Sequence, residues 1–224
     1  MPTLPPRSRY TFAVAGTEQG EDLVGVGADL APGTILEAYV AGVFPMGLGD
    51  YGGEPLGWWS PDPRGVLLPA NLHVSRSMHR AMHRFEIRVD SDFAGVVAGC
   101  ADPGRAGRWI TPEITRAYSE LHRLGWAHSV EVVQDGALVG GLYGLAVGGL
   151  FAGESMFHRA TDASKAAVIA LHDLVTRDGD PRRIIDVQWR TDHLASLGVT
   201  ELSRAAYLRR LASALQAPLP EAFA

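Results

Sequence analysis

The apolar pattern is densest from Gly136 to Phe157 (GALVGGLYGLAVGGLFAGESMF), where seven glycines between Gly136 and Gly153 interleave with Leu, Val, Tyr and Phe. A helix is disfavoured there, because each interior Gly costs about 1 kcal/mol relative to Ala. The flanks favour strands. His128 to Gln134 is Val-rich, Asp135-Gly136 is a hairpin signal, and a second turn falls at Gly148-Gly149. The pattern predicts an antiparallel meander with strands over 128–134, 138–146 and 150–155, and Glu154 at the tip of the last. Glycines inside strands mark bulges or close approaches to the backbone.

Elsewhere the pattern is mostly helical. Residues 1–30 read as an irregular lead-in, and Thr34 caps a short helix that Gly42 stops. Residues 46–63 read as loop. A domain boundary placed here gives a small N-terminal domain over 1–63 and a larger one over 64–224. In the second, Val66–Pro69 and Phe85–Val89 read as strands, and Ser75 caps a helix, SRSMHRAMHRF. Asp92–Ala101 reads as a short helix. Thr111-Pro112-Glu113 opens a clear one that ends at Gly125. After the meander, Thr161 or Asp162 caps a helix with Ala167, Val168, Leu171, Leu174 and Val175 on its apolar face, ended by Gly179. Ile184–Gln188 is a buried-type strand, and two helical segments finish the chain. The order is that of a mixed α/β (α+β) fold.

Composition narrows the function. In 224 residues, 46% are apolar and 20% charged, with net charge −5, so nucleic acid could be gripped only by a local basic patch. A lone Cys100 in an apolar run reads as a buried structural thiol and suits a reducing compartment. The N-terminus lacks the apolar core of a signal peptide and no window reaches a membrane span, so a cytoplasmic location is expected.

Two groups of residues suggest chemistry. Arg76, Arg80 and Arg84 recur at i, i+4, so one helix face carries a row of guanidiniums about 12 Å long. It is either a phosphate-binding stripe or a solvated face. His79 and His83 have metal-ligand spacing without a third ligand nearby, so no metal is expected. The helix after the meander returns the chain to a strand parallel to 150–155, and a splayed parallel pair would leave a cleft facing that helix's N-terminus. Glu154 ends one strand of that pair. Asp186 and Gln188, two residues apart on the other, should share a face. With Leu142, Met156 and Ile185 as walls, the cleft can orient an amine and take its proton.

FPM at 44–46, WWSPDPRGVL at 58–67, WITPE at 109–113, LHRLGWAHSVEV at 121–132, LVGGLYGL at 138–145, FAGESMF at 151–157, ASKAA at 163–167, IDVQ at 185–188 and HLASLG at 193–198 together resemble the leucyl/phenylalanyl-tRNA–protein transferase family over residues 44–208. The resemblance implies a small N-terminal domain and a C-terminal domain similar to the GNAT acyltransferases. It implies transfer of leucine or phenylalanine, and less well methionine, from aminoacyl-tRNA to proteins beginning with Arg or Lys. That modification marks them for degradation by the N-end rule, with no cofactor needed. By the same resemblance Asp186, Gln188 and Glu154 are catalytic, the two acids forming an acidic mouth for the cationic acceptor. Leu142, Met156 and Ile185 take the aminoacyl side chain, Trp109 stacks the terminal adenine, and Tyr39 and Met46 complete the substrate-binding set. Arg76, Arg80 and Arg84 follow tRNA phosphates. Met46 stands where relatives often carry Trp, and Thr191 where they often carry Asn. Two rivals remain: a coenzyme-A-dependent acetyltransferase, although FHRATDAS lacks that class's paired glycines, and a non-catalytic adaptor for N-terminal Arg or Lys.

Overall fold

The computed structural model describes residues 1–14, 20–105 and 107–224; part of the predicted lead-in, residues 15–19, lies outside them. Strands β1 (Leu23–Val26), β2 (Phe44–Gly47) and β3 (Leu56–Trp59) form an antiparallel sheet in the order β1-β3-β2, with helix α1 (Pro32–Val40) between the first two. The sequence reading had placed β1 in an irregular lead-in and β3 in a loop. Each is four residues long, too short for a pattern of its own, so it becomes a strand only by pairing. Trp58 and Trp59 point to opposite faces. Trp58 is buried with Ala38 and Val43, and the Trp59 indole donates to Met46 O at 2.8 Å. Helix α1 starts at Pro32, not at a Thr34 cap; the buried Thr34 hydroxyl donates instead to Asp29 Oδ1 at 2.7 Å.

A second sheet follows. Its strands are β4 (Arg64–Leu67), β5 (Glu86–Val89), β6 (Ala127–Gln134), β7 (Ala137–Val147), β8 (Leu150–His158), β9 (Ile184–Gln188) and β10 (Thr200–Leu202). Their spatial order is β10-β4-β9-β8-β7-β6-β5, antiparallel except for the pair β8–β9. Helices α3 (Phe93–Cys100), α4 (Pro112–Arg123) and α7 (Arg204–Ala214), with α1, bury their apolar sides on one face. Helices α2 (Arg76–Met82) and α5 (Ala163–Thr176) pack on the other, followed in the chain by the single turn α6 (Asp192–Ala195). Ser75 and Thr111 cap α2 and α4 as expected, each accepting a backbone N–H. The interior glycines have packing reasons. A Cβ on Gly140 would lie 2.7 Å from the Ala163 methyl, so glycine lets the start of α5 press on β7. Cys100 is buried, and burial pushes its thiol up to about 11, as befits a structural residue. Among the described residues no helix is long and apolar enough to cross a membrane.

Candidate active site

β8 and β9 pair only from Leu150↔Ile184 to Ala152↔Asp186, and beyond that point they diverge. Each carries a bulge at the point of divergence. On β8, Tyr143 faces Ser155 while Gly144 faces Gly153, which leaves Glu154 as the extra residue. Gly144 is obligatory at this step: a Cβ there would sit 2.2 Å from Ala152 O. On β9, Gly65 faces Gln188 and Val66 faces Asp186, so Val187 is extra, and Gln188 adopts a left-handed φ of 59°. Bulges re-aim side chains, and a non-glycine residue in the left-handed region stores strain that functional sites often hold. Two expectations change as a result. β8 continues to His158, so Glu154 is a mid-strand bulge residue and not a strand end. Asp186 and Gln188 do not share a face, because the bulge breaks the two-residue period.

A cavity of about 110 Å³ opens in the split. Leu142, Met156 and Ile185 line it with Val168, Leu171, Val187 and Leu194, and Glu154 and Gln188 supply its polar edge. Its size approaches that of cavities of about 150 Å³ that hold a benzene ring. Gln188 is 7% exposed and its Nε2 has no hydrogen-bond partner. Buried amides are nearly always satisfied, so this free donor on a residue that lines an apolar slot stands out. A larger hollow of about 740 Å³, lined by Asp29, Glu54, Glu113 and Glu120, is an open trough that collects none of the residues singled out above.

The two acids are not free. Asp186 is fully buried: its Oδ1 accepts from Arg64 Nε at 2.8 Å and Gln188 N at 3.0 Å, and its Oδ2 from Arg64 Nη2 at 2.6 Å and the Tyr207 hydroxyl at 2.7 Å. Arg64 is equally buried, lies over the Phe44 and Tyr207 rings, and donates through Nη1 to Gly42 O. Glu154 meets Tyr39 Oη at 2.5 Å and Tyr118 Oη at 3.0 Å. Burial pushes its carboxyl up to about 7, with the two hydroxyls opposing. The expected acidic mouth is therefore absent, with one acid neutralised by a guanidinium and the other capped by phenols. Tyr39, 1% exposed, belongs to this network and does not line the slot.

Met46 on β2 and Trp109 before α4 are both half-buried against the same core. The turn at Gly52 bridges them, since a Cβ there would strike the Trp109 backbone and one on Gly47 would strike Gly52 O. The arginine row is shorter than predicted. α2 ends at Met82, so only Arg76 and Arg80 share its face, exposed and without ion pairs among the described residues. Arg84 lies beyond the helix and pairs with Asp162 at 3.1 Å. Asp162 itself occupies the α5 N-terminus with φ 72° and makes no side-chain cap. Thr191 caps α6, accepting from Leu194 N at 3.3 Å, and so holds a cavity wall in place. Among the described residues no group of three or more His, Cys, Asp or Glu could hold a metal ion. Arg64, Tyr118 and Tyr207 escaped the sequence reading. Arg64 follows a Pro-rich turn with no acid in its own strand, and Tyr118 sits on the apolar face of α4 among Ile114, Ala117 and Leu121.

Comparison with known proteins shows the family of the chain. Residues 66–212 match the family described as leucyl/phenylalanyl-tRNA protein transferase, and residues 28–62 match the N-terminal domain of that transferase. The chain belongs to the leucyl/phenylalanyl-tRNA–protein transferase family. Named relatives include that of Dechloromonas aromatica, 47% identical over 95% of this chain and 91% of its own length. That of Pseudomonas putida is 50% identical over 88% and 86%, and that of Klebsiella pneumoniae 43% over 96% and 93%. The protein is an aminoacyltransferase, and aminoacyl-tRNA is the partner its family name implies.

Proposed function

We propose that this transferase moves leucine or phenylalanine, and less well methionine, from aminoacyl-tRNA to the N-terminal Arg or Lys of acceptor proteins. The product carries a destabilising N-terminus that commits the acceptor to N-end-rule degradation in the cytoplasm. The observation that carries this reading is the unpartnered Gln188 Nε2 at the edge of an apolar slot of about 110 Å³. The slot suits one leucyl or phenyl side chain. It discriminates by shape, and one methylene is worth only about 1–3 kcal/mol, so methionine is admitted.

The reaction is aminolysis of an ester. The acceptor amine forms a C–N bond to the acyl carbon, the C–O bond to the ribose breaks, and one proton passes from nitrogen to the leaving oxygen. The substrate arrives activated, so positioning and stabilisation of the developing oxyanion suffice. Gln188 Nε2 donates to the acyl oxygen, and its amide oxygen aligns the amine. Asp186 acts through Gln188, whose backbone N–H it holds at 3.0 Å. A splayed parallel strand pair beside a helix N-terminus is the arrangement of GNAT-like acyltransferases. In this reading residues 1–63 form the small N-terminal domain and 64–224 the GNAT-like one. Trp109 and Met46 flank the terminal adenine, and Arg76 and Arg80 lie along the tRNA phosphates.

The test is incubation with Phe-tRNA and two peptides, one beginning with Arg and one with Ala. The Arg peptide alone should gain one phenylalanyl residue. Binding without a mass change would favour an adaptor, and micromolar acetyl-CoA binding by calorimetry would favour an acetyltransferase.

A further inference from the structure

The hydrogens around Glu154 can be counted. Tyr39 Oη lies 2.5 Å from Oε1, Tyr118 Oη lies 3.0 Å from Oε2, and the two phenol oxygens are 2.7 Å apart. Each contact is within hydrogen-bonding distance and needs one hydrogen between its oxygens. Burial raises both phenols well above their ordinary range, so each tyrosine keeps its single proton. An ionised Glu154 brings none, leaving two hydrogens for three contacts and one pair of oxygens facing each other unbridged. A protonated Glu154 supplies the third. Every member of the ring then donates once and accepts once.

Around the carboxyl, burial outweighs the groups that oppose it. Burial raises it first; the Tyr39 and Tyr118 hydroxyls lower it; Asp186 raises it and Arg64 opposes Asp186. From β7, the buried Tyr143 hydroxyl makes no hydrogen bond to relieve the ring. Since Asp186 and Arg64 are a bidentate pair, their fields largely cancel at Glu154.

We infer that Glu154 is a neutral carboxylic acid closed into a three-proton ring with Tyr39 and Tyr118, and that this ring carries the proton of the transfer step. The second half rests on the aminoacyl-transfer reading above. Glu154 is the ring member that lines the cavity. One of its oxygens takes the proton from the attacking amine as the C–N bond forms. The hydrogen on its other oxygen passes to the ribose oxygen as the C–O bond breaks. The ring's direction of donation then reverses, with three protons and zero net charge before and after. Tyr39 on α1 and Tyr118 on α4 are positioning residues that hold the acid in the ring, while burial keeps it neutral.

Glu154→Gln separates these statements, because an amide donates and accepts like a protonated acid but cannot exchange roles between its two ends. A carboxyl at about 7 when folded and about 4.3 when unfolded binds its proton more tightly in the native state. Its contribution to wild-type stability is full below the unfolded value and is lost as pH rises toward 7. The difference in Tm, variant minus wild type, should therefore rise between about pH 4.5 and 7 and be level above, other groups cancelling in the subtraction. Single-turnover transfer from Phe-tRNA to an Arg-starting peptide should fall at least ~10²-fold, the lower end of the ~10²–10⁴-fold range of general acid–base groups, with donor affinity within ~2-fold. Tyr118→Phe should fold and lose rate by a smaller factor. A Glu154→Gln protein less stable at every pH with no slope means that Glu154 is ionised, and overturns the ring. The slope with a wild-type transfer rate overturns the relay alone. The slope with no transfer by the wild type points instead to failure of the functional reading.

Discussion

Asp186→Asn keeps the shape of the side chain and removes its charge, which makes it the sharpest probe of what that carboxylate does. Arg64 and Asp186 are both fully buried and joined by two hydrogen bonds of 2.8 and 2.6 Å. Breaking such a pair by neutralising one member leaves a charge without compensation in the interior, at a cost of about 3–5 kcal/mol. The asparagine NH2 would also face guanidinium N–H groups, donor against donor. For a chain of this length each kcal/mol shifts Tm by roughly 2–4 °C, so the variant should melt roughly 6–20 °C lower. Transfer measured well below that Tm should also fall, because the Gln188 N–H loses a charged acceptor and the strained backbone at φ 59° is held less firmly. Removing both charges in Arg64→Met/Asp186→Leu should recover most of the stability, since apolar replacement of a buried pair is often neutral or better. Thermal unfolding by circular dichroism and the peptide-transfer assay read both effects. An Asp186→Asn protein that melts within about 2 °C of wild type yet has lost transfer would refute the reasoning, because the charge would then serve the chemistry and not the architecture.

Four other variants probe the slot and its approach. Gln188→Leu removes an orphaned buried donor whose desolvation costs about 1–3 kcal/mol, so the protein should be at least as stable while transfer falls by about 10²-fold or more; a less stable variant with normal transfer would contradict this. Met156→Ala widens the cavity and should shift kcat/KM toward Phe-tRNA over Leu-tRNA by about 10-fold, within the ~200-fold ceiling for such a pocket, as competition between the two donors would show. Arg76→Ala/Arg80→Ala should weaken donor tRNA and make the slope of log K against log salt shallower by about 2 units, measured by filter binding at several salt concentrations; Arg84→Ala, already paired with Asp162, should change it less.

The central sheet was legible because its signals are local. The meander expected at 128–134, 138–146 and 150–155 forms at 127–134, 137–147 and 150–158, set by Val-rich runs and two Gly turns. Capping chemistry at Ser75 and Thr111 placed two helices for the same reason. What escaped depends on a partner strand or a distant residue. A bulge belongs to a pair of strands, so no period count on β9 alone could show that Asp186 and Gln188 part company. The four-residue strands β1, β2 and β3 hold one another in place, and none has a pattern of its own. Arg64 finds its carboxylate 122 positions away, and Tyr118 finds Glu154 36 away. The same holds for the arginine row, where a helix that stops at Met82 turns the third member aside.

Both acids of the site are disarmed by the fold, and that bears on how the slot can work. Asp186 is cancelled by Arg64 and the Glu154 carboxyl is pushed up by burial, so the walls present no strong field to an uncharged ester or a neutral amine. An N-terminal amine, with an ordinary pKa near 7.7–8.0, is partly neutral at physiological pH, so little free energy is needed to present it unprotonated. A pair of ionised carboxylates in the same place would favour the ammonium form and hold back the nucleophile. In the proposed reaction negative charge develops at the acyl oxygen as the amine nitrogen gives up its proton, inside an apolar cavity where a preset donor is worth most. Gln188 Nε2 is such a donor, buried and unpartnered before substrate arrives, held there by a bulge and a backbone N–H that Asp186 fixes in turn. In the proposed function the buried ion pair thus matters to the chemistry through the aim of one amide.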